Sequence, residues 1–162
     1  MPRIYIETSI VSYLQQRPSP QVVAAARQVL TRKWWDTERV KYDLVTSQYV
    51  LDEAADGAPI TAKERLELLH GIPLLLLGSE IDAIAAEILS QAILPPKAQI
   101  DALHIATASH HRIDYLLTWN CTHIANARIL PRIQRVLSDL GSFVPIICTP
   151  EEMVDDDESH EQ

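Results

Sequence analysis

Short apolar runs recur along this chain, and each is followed by a stretch that reads as helix. The runs are RIYI at 3–6, YDLVTS at 42–47, PLLLL at 73–77, DYLLTW at 114–119 and VPIICT at 144–149. Such continuous apolar runs mark strands buried on both faces. Strands alternating with helices favour parallel pairing through crossover connections. The predicted class is therefore α/β: a three-layer sandwich with a central, mainly parallel sheet of about five short strands flanked by helices.

The intervening segments carry helix punctuation. Residues 9–15 read as a short helix stopped before Pro18. In SPQVVAAARQVLTRKWWDTE, Ser19 is the expected N-cap and Pro20 the first helical position. Ser47 can cap a helix through QYVLDEAAD that ends at Gly57. Thr61 and Glu64 stand at capping-box spacing in a helix ending at Gly71, and Ser79 can cap SEIDAIAAEILSQAI. PPKAQIDALHIATASHHR starts a helix after paired prolines, IANARILPRIQRVLSDLG is largely helical, and TPEEM is a short terminal turn.

At 162 residues, 47% hydrophobic and 22% charged, the chain is expected to form one domain with a sizeable core. No apolar run approaches the ~20 residues that span a bilayer, so no membrane partner is expected. The N-terminus has no basic stretch leading into an apolar one, and Cys121 and Cys148 form no disulfide framework; the cytoplasm is the expected location. The net charge of −8 is concentrated at one end, because residues 151–162 hold seven acids and no Lys or Arg. Without them 15 acids face 14 bases, a charge of about −1. Residues 1–150 are thus expected to be the domain, and 151–162 an acidic, disordered tail. This charge argues against tight nonspecific nucleic-acid binding by charge alone, but not against a basic patch beside a site.

Parallel α/β sheets collect ligands at the carboxyl ends of their strands, and acids fall there. Glu7 directly follows the first run; Glu53 lies about two turns into the helix after the second; Asp101 sits in AQIDALHIATA, one helical stretch before the fourth; Asn120 and His123 follow the fourth. A bare carboxylate at a buried seam costs several kcal/mol or more, so it must be solvated, paired or bound to a cation. Three carboxylates in one cleft repel each other, and a hard divalent cation relieves the repulsion. Oxygen ligands suit Mg²⁺ or Mn²⁺, whose usual work at such a site is phosphodiester hydrolysis.

The stretches YIETSIVSYL, VTSQYVLDEAADG, PPKAQIDALHIATA and DYLLTWNCTHIANA, in that order and spacing, resemble the PIN-domain ribonucleases, in particular the VapC-like toxins of type II toxin–antitoxin systems. The likeness covers roughly residues 3–150. It implies a parallel sheet flanked by helices, a Mg²⁺ or Mn²⁺ site, cleavage of RNA, an antitoxin partner and a homodimer. Carried over by position, Glu7 stands where the family usually has Asp, Glu53 matches the second acid and Asp101 the third. Thr8 or Ser9 matches the hydroxyl beside the first acid, and Asn120 stands where a fourth, more variable acid often lies. Two departures follow. Glu7 is a methylene longer than Asp, and Asn120 is neutral, so one firmly held cation is expected rather than two.

Blander readings stand beside these. Glu7 read alone is a turn residue, Asn120 an Asx turn or helix cap, His123 a capping or surface residue. His104 shares a face with Asp101 but reads as a packed, hydrogen-bonded core histidine. Trp34-Trp35 read as packing or a partner surface rather than base stacking, and beyond the Cys121–His123 pair in CTH neither Cys148 nor the other histidines have zinc-ligand spacing. Two alternatives to an active ribonuclease remain: a catalytically decayed PIN-like module that binds RNA or protein, and a phospho-accepting receiver-like domain. The receiver ranks last, because the third run ends LLLLGS without an acid and the fifth ends IICTP without a Lys.

Overall fold

The computed structural model describes residues 1–155. Its centre is a four-stranded, all-parallel sheet in the order β2-β1-β3-β4, built from β1 (Arg3–Ile6), β2 (Asp43–Val45), β3 (Tyr115–Leu117) and β4 (Ile146–Cys148). Ile4, Tyr5 and Ile6 are fully buried, as are Leu116 and Leu117, which explains their lack of polar alternation.

Around the sheet lie α1 (Thr8–Gln15), α2 (Val22–Lys33), α3 (Gln48–Ala54), α4 (Pro59–Leu69), α5 (Ser79–Ser90), α6 (Gln99–His110) and α7 (Leu130–Asp139). α1 packs on α2, α3 and α4, while α5 packs on α6 and α7. α6 is apolar almost all round, and eight successive residues, Ala102–Ser109, are buried. That burial places Asp101, one residue earlier, at the border of the core.

The chain leaves β1 towards β2 on one side and returns through β3 on the other. The carboxyl end of β1 is therefore the point where strand order reverses, the position at which open α/β sheets form their ligand crevice.

The third apolar run does not become a strand. PLLLL contributes one parallel bridge, Thr46 to Leu74, with Thr46 N–H donating to Pro73 O at 3.0 Å and Leu75 N–H to Thr46 O at 2.9 Å. The run lies beyond the end of β2 at the sheet edge. Leu75 and Leu77 pack inwards while Leu74 and Leu76 face out, 46% and 83% exposed.

Several caps also differ from expectation. α2 begins at Val22 with Gln21 as N-cap, and the Ser19 hydroxyl accepts from Gln21 N–H. α4 begins two residues before Thr61, with Pro59 at its first position, so Thr61 donates to Ala58 O and no Thr61–Glu64 capping box forms. Gly78 takes the N-cap expected of Ser79. Ser47 is the N-cap of α3, but its hydroxyl turns to Tyr5. Trp34 and Trp35 are buried at the end of α2, where the helix widens into a π turn, Trp34–Glu38. After β4 comes a turn, Pro150–Met153, held by a Thr149–Glu152 capping box, and Met153 and Val154 pack against the core. The acidic residues 156–162, part of the expected tail, lie outside the described residues.

Candidate active site

Glu7 directly follows β1 and caps α1. Its extended backbone turns the carboxylate back over the first helical turn, where Oε2 accepts from Ser9 N–H at 2.7 Å. Oε1 accepts from Ser9 Oγ at 2.8 Å and from Thr118 Oγ1 at 2.6 Å. The side chain's extra methylene is thus used to fold back into the chain, and Glu7 is only 5% exposed.

Thr118 follows β3 and is fully buried. Its hydroxyl donates to Glu7 and accepts from Asn120 N–H at 2.9 Å, so one side chain joins the ends of the two central strands. Asn120 makes the turn of its blander reading and also reaches Asp101. Its Oδ1 accepts from the N–H of Thr122 and of His123, an Asx-type turn, and its Nδ2 donates to Asp101 Oδ1 at 3.1 Å. His123 Nδ1 is 3.0 Å from Asp101 Oδ2. An aspartate at position 120 would put a like charge where the amide now donates. Burial raises the Asp101 pKa above its ordinary value, against the His123 hydrogen bond and the charges of His104 and His123.

Glu53 belongs to a second branch. Thr8, directly after Glu7, donates its hydroxyl to Glu53 Oε1 at 2.6 Å, and His104 Nε2 lies 2.6 Å from the same oxygen. His104 Nδ1 is 2.7 Å from Tyr5 Oη, which is 2.6 Å from Ser47 Oγ. From Glu53 the chain thus runs through both ring nitrogens of His104 and the Tyr5 phenol to Ser47. Burial pushes the Tyr5 pKa far above its usual value and keeps that phenol protonated. Burial also works to raise the Glu53 pKa, but the His104 hydrogen bond and charge and the Thr8 hydroxyl outweigh it and hold it below the ordinary range.

The seven residues singled out from sequence thus fall into two hydrogen-bonded branches that meet at the Glu7–Thr8 peptide bond: Glu7 with Ser9, Thr118, Asn120, Asp101 and His123, and Glu53 with Thr8 and His104. His104 is the packed histidine expected, and it also fixes Glu53. Thr118 was missed; its one sequence signal is a hydroxyl placed directly after a buried strand.

The donor chemistry fits a hard divalent cation. Carboxylate, amide and hydroxyl oxygens predominate, and Glu53 Oε2 holds no hydrogen bond among the described residues. The arrangement is not pre-assembled: among the described residues no group of three or more His, Cys, Asp or Glu side chains is gathered as a metal would need. Residues able to hold such an ion are Glu53, through its free oxygen, and Asp101 and Glu7, through lone pairs beside their present bonds.

No helix among the described residues is long and apolar enough to cross a membrane. A search of curated proteins found no match. A family model described as PIN domain matches residues 4–120. The match begins within β1 and ends at Asn120, so it takes in both strand ends that Thr118 ties together, and over most of its length the chain belongs to the PIN domain family.

Proposed function

We propose that this protein is a metal-dependent endoribonuclease that hydrolyses phosphodiester bonds of single-stranded or structured RNA, and that it is the VapC-like toxin of a toxin–antitoxin pair. PIN domains are typically nucleases, and the family match supports that class of chemistry in general. The observation that carries the reading is the bonded path Glu7–Thr118–Asn120–Asp101 at the carboxyl ends of β1 and β3, where the strand order reverses.

In this reading Glu7, Glu53 and Asp101 hold Mg²⁺ or Mn²⁺. The ion, when bound, supplies a Lewis acid at a phosphoryl oxygen and lowers the pKa of water. Asn120 and His123 orient Asp101. His104 and Thr8 hold Glu53 Oε1, leaving Oε2 free. Ser9 and Thr118 fix Glu7 against the sheet. Asn120 adds no charge, which favours one firmly held ion over two. A cognate antitoxin and a homodimer are the proposed protein partners, and the cytoplasm the proposed location.

A second reading, a decayed PIN-like binding module, draws on the same geometry. Both oxygens of Glu7 and of Asp101 are already bonded within the chain, and no three-ligand group is gathered. One experiment separates the two: purified protein incubated with defined RNAs in Mg²⁺, in Mn²⁺ and in chelator. The nuclease reading expects cleavage that chelator stops and that Asp101→Asn lowers by about a hundredfold or more in kcat/KM. Binding without metal-dependent cleavage would establish the module instead.

A further inference from the structure

Arg27 stands at the rim of the site, on α2, and neither branch of the network uses it. Its guanidinium carbon lies 5.1 Å from the Trp119 ring centroid and 6.0 Å from that of Tyr13. Nη1 donates to Tyr13 Oη at 3.3 Å, and Nη2 reaches Cys121 Sγ at 3.9 Å. The two rings meet edge to face, 6.1 Å apart. Trp119 is itself fixed, by Nε1 donating to Thr31 Oγ1 at 2.7 Å and by its backbone N–H donating to Ser9 Oγ at 2.8 Å.

Three consequences follow. The guanidinium is pre-organised, so little rotamer freedom is left to lose on binding. Its contacts are all neutral; Glu151 acts on it only through space. Two of its five N–H groups are occupied, leaving donors for a bidentate acceptor such as phosphate. Its placement is specific as well: Trp119 and Cys121 are the residues on either side of Asn120, the amide that donates to Asp101. An anionic chain lying over Asn120 must pass Arg27.

We propose that Arg27 binds a backbone phosphate of the RNA beside the scissile one, without reading sequence. The proposal rests on the ribonuclease reading and adds a substrate-binding residue to it. The competing role is structural, a tie between α2 and α1, and salt dependence separates the two. A phosphate contact releases counterions and adds about 0.7 to the slope of log K against log salt for single strands; a tie adds nothing.

The test measures binding of a fluorescent single-stranded RNA by anisotropy, in chelator, from about 50 to 200 mM salt, for the unmodified protein, Arg27→Gln and Arg27→Lys. Arg27→Gln is expected to flatten the slope by about 0.7 and, with metal restored, to raise KM more than it lowers kcat. Arg27→Lys should keep the slope while losing the stacked geometry. A native-protein readout needs no variant: Cys121 is exposed, and bound RNA should slow its alkylation several-fold. If the unmodified protein binds and cuts RNA while Arg27→Gln keeps the full slope and Cys121 alkylates at the same rate with and without RNA, Arg27 is only a tie. If the unmodified protein binds no RNA, the ribonuclease reading fails and Arg27 falls with it.

Discussion

Glu7 shows at the scale of one residue how a charge is kept at a buried seam. Three donors from Ser9 and Thr118 converge on it, so its cost of burial is offset inside the chain. In Glu7→Gln one acceptor oxygen becomes an NH₂ that must face a donor, leaving at least one buried group unsatisfied. Urea unfolding should show a loss of about 1–3 kcal/mol; an unchanged midpoint would mean that the carboxylate is not seated in the cap. The two thiols give a residue-scale test of burial. Cys121 is exposed, whereas Cys148 is buried on β4 and its pKa is pushed up to about 12, first by burial and then by Glu152. Because the thiolate is the nucleophile, a raised pKa keeps Cys148 inert as the pH rises through 8 and 9. The native protein should consume one equivalent of thiol reagent there and the unfolded protein two.

At the scale of elements, each helix near the site is fixed by what it packs on more than by its own caps. α1 has only eight residues, too short to persist alone in water, and it is held by Glu7 at its start and by α2, α3 and α4 around it. Two residues past the end of α5, Ala92 adopts φ +54, the left-handed region that costs a side-chain-bearing residue about 1–2 kcal/mol. Glycine pays no such penalty but loses more chain entropy on folding. Ala92→Gly should therefore stabilise the protein by about 0.5 kcal/mol or more, read as a higher urea midpoint with an unchanged slope. A lower midpoint would mean that the turn after α5 depends on the alanine methyl.

At the scale of the whole molecule, the sheet and its helices close around one continuous core running from Ile4 on β1 to Cys148 on β4. Met153 and Val154 are the last apolar residues packed against it. Asp155 adds only exposed contacts, Lys41 Nζ to Oδ2 at 3.6 Å and Lys33 Nζ to its carbonyl at 3.1 Å, and such pairs contribute little. Residues 156–162 hold four acids and no apolar side chain. Truncation after Asp155 should move Tm by less than about 2 °C; a larger loss in calorimetry would mean that the removed segment docks on the domain.

What the sequence determined by itself is local. Unbroken apolar runs specify β1 and β3, since a strand buried on both faces has no polar position to spare. The buried stretch DALHIATAS sets Asp101 at the edge of the core, and a carboxylate directly after RIYI marks the seam between strand and helix. Sequence therefore carried the α/β class, the positions of the acids and the idea of a shared end of the sheet. The tertiary structure decided the rest. PLLLL has the composition of a central strand, yet it lies past the end of β2 and pairs through one bridge, because edge or centre is settled by neighbours. Thr118 meets Glu7 across 111 residues and Thr8 meets Glu53 across 45. His104 looked like core packing, which it is, and it also orients a carboxylate. Arg27, one of five arginines in the first forty residues, becomes distinctive only when packing brings it against Tyr13 and Trp119. Periodicity and caps are written in neighbouring residues, whereas hydrogen-bond partners belong to whichever elements the closed core brings together.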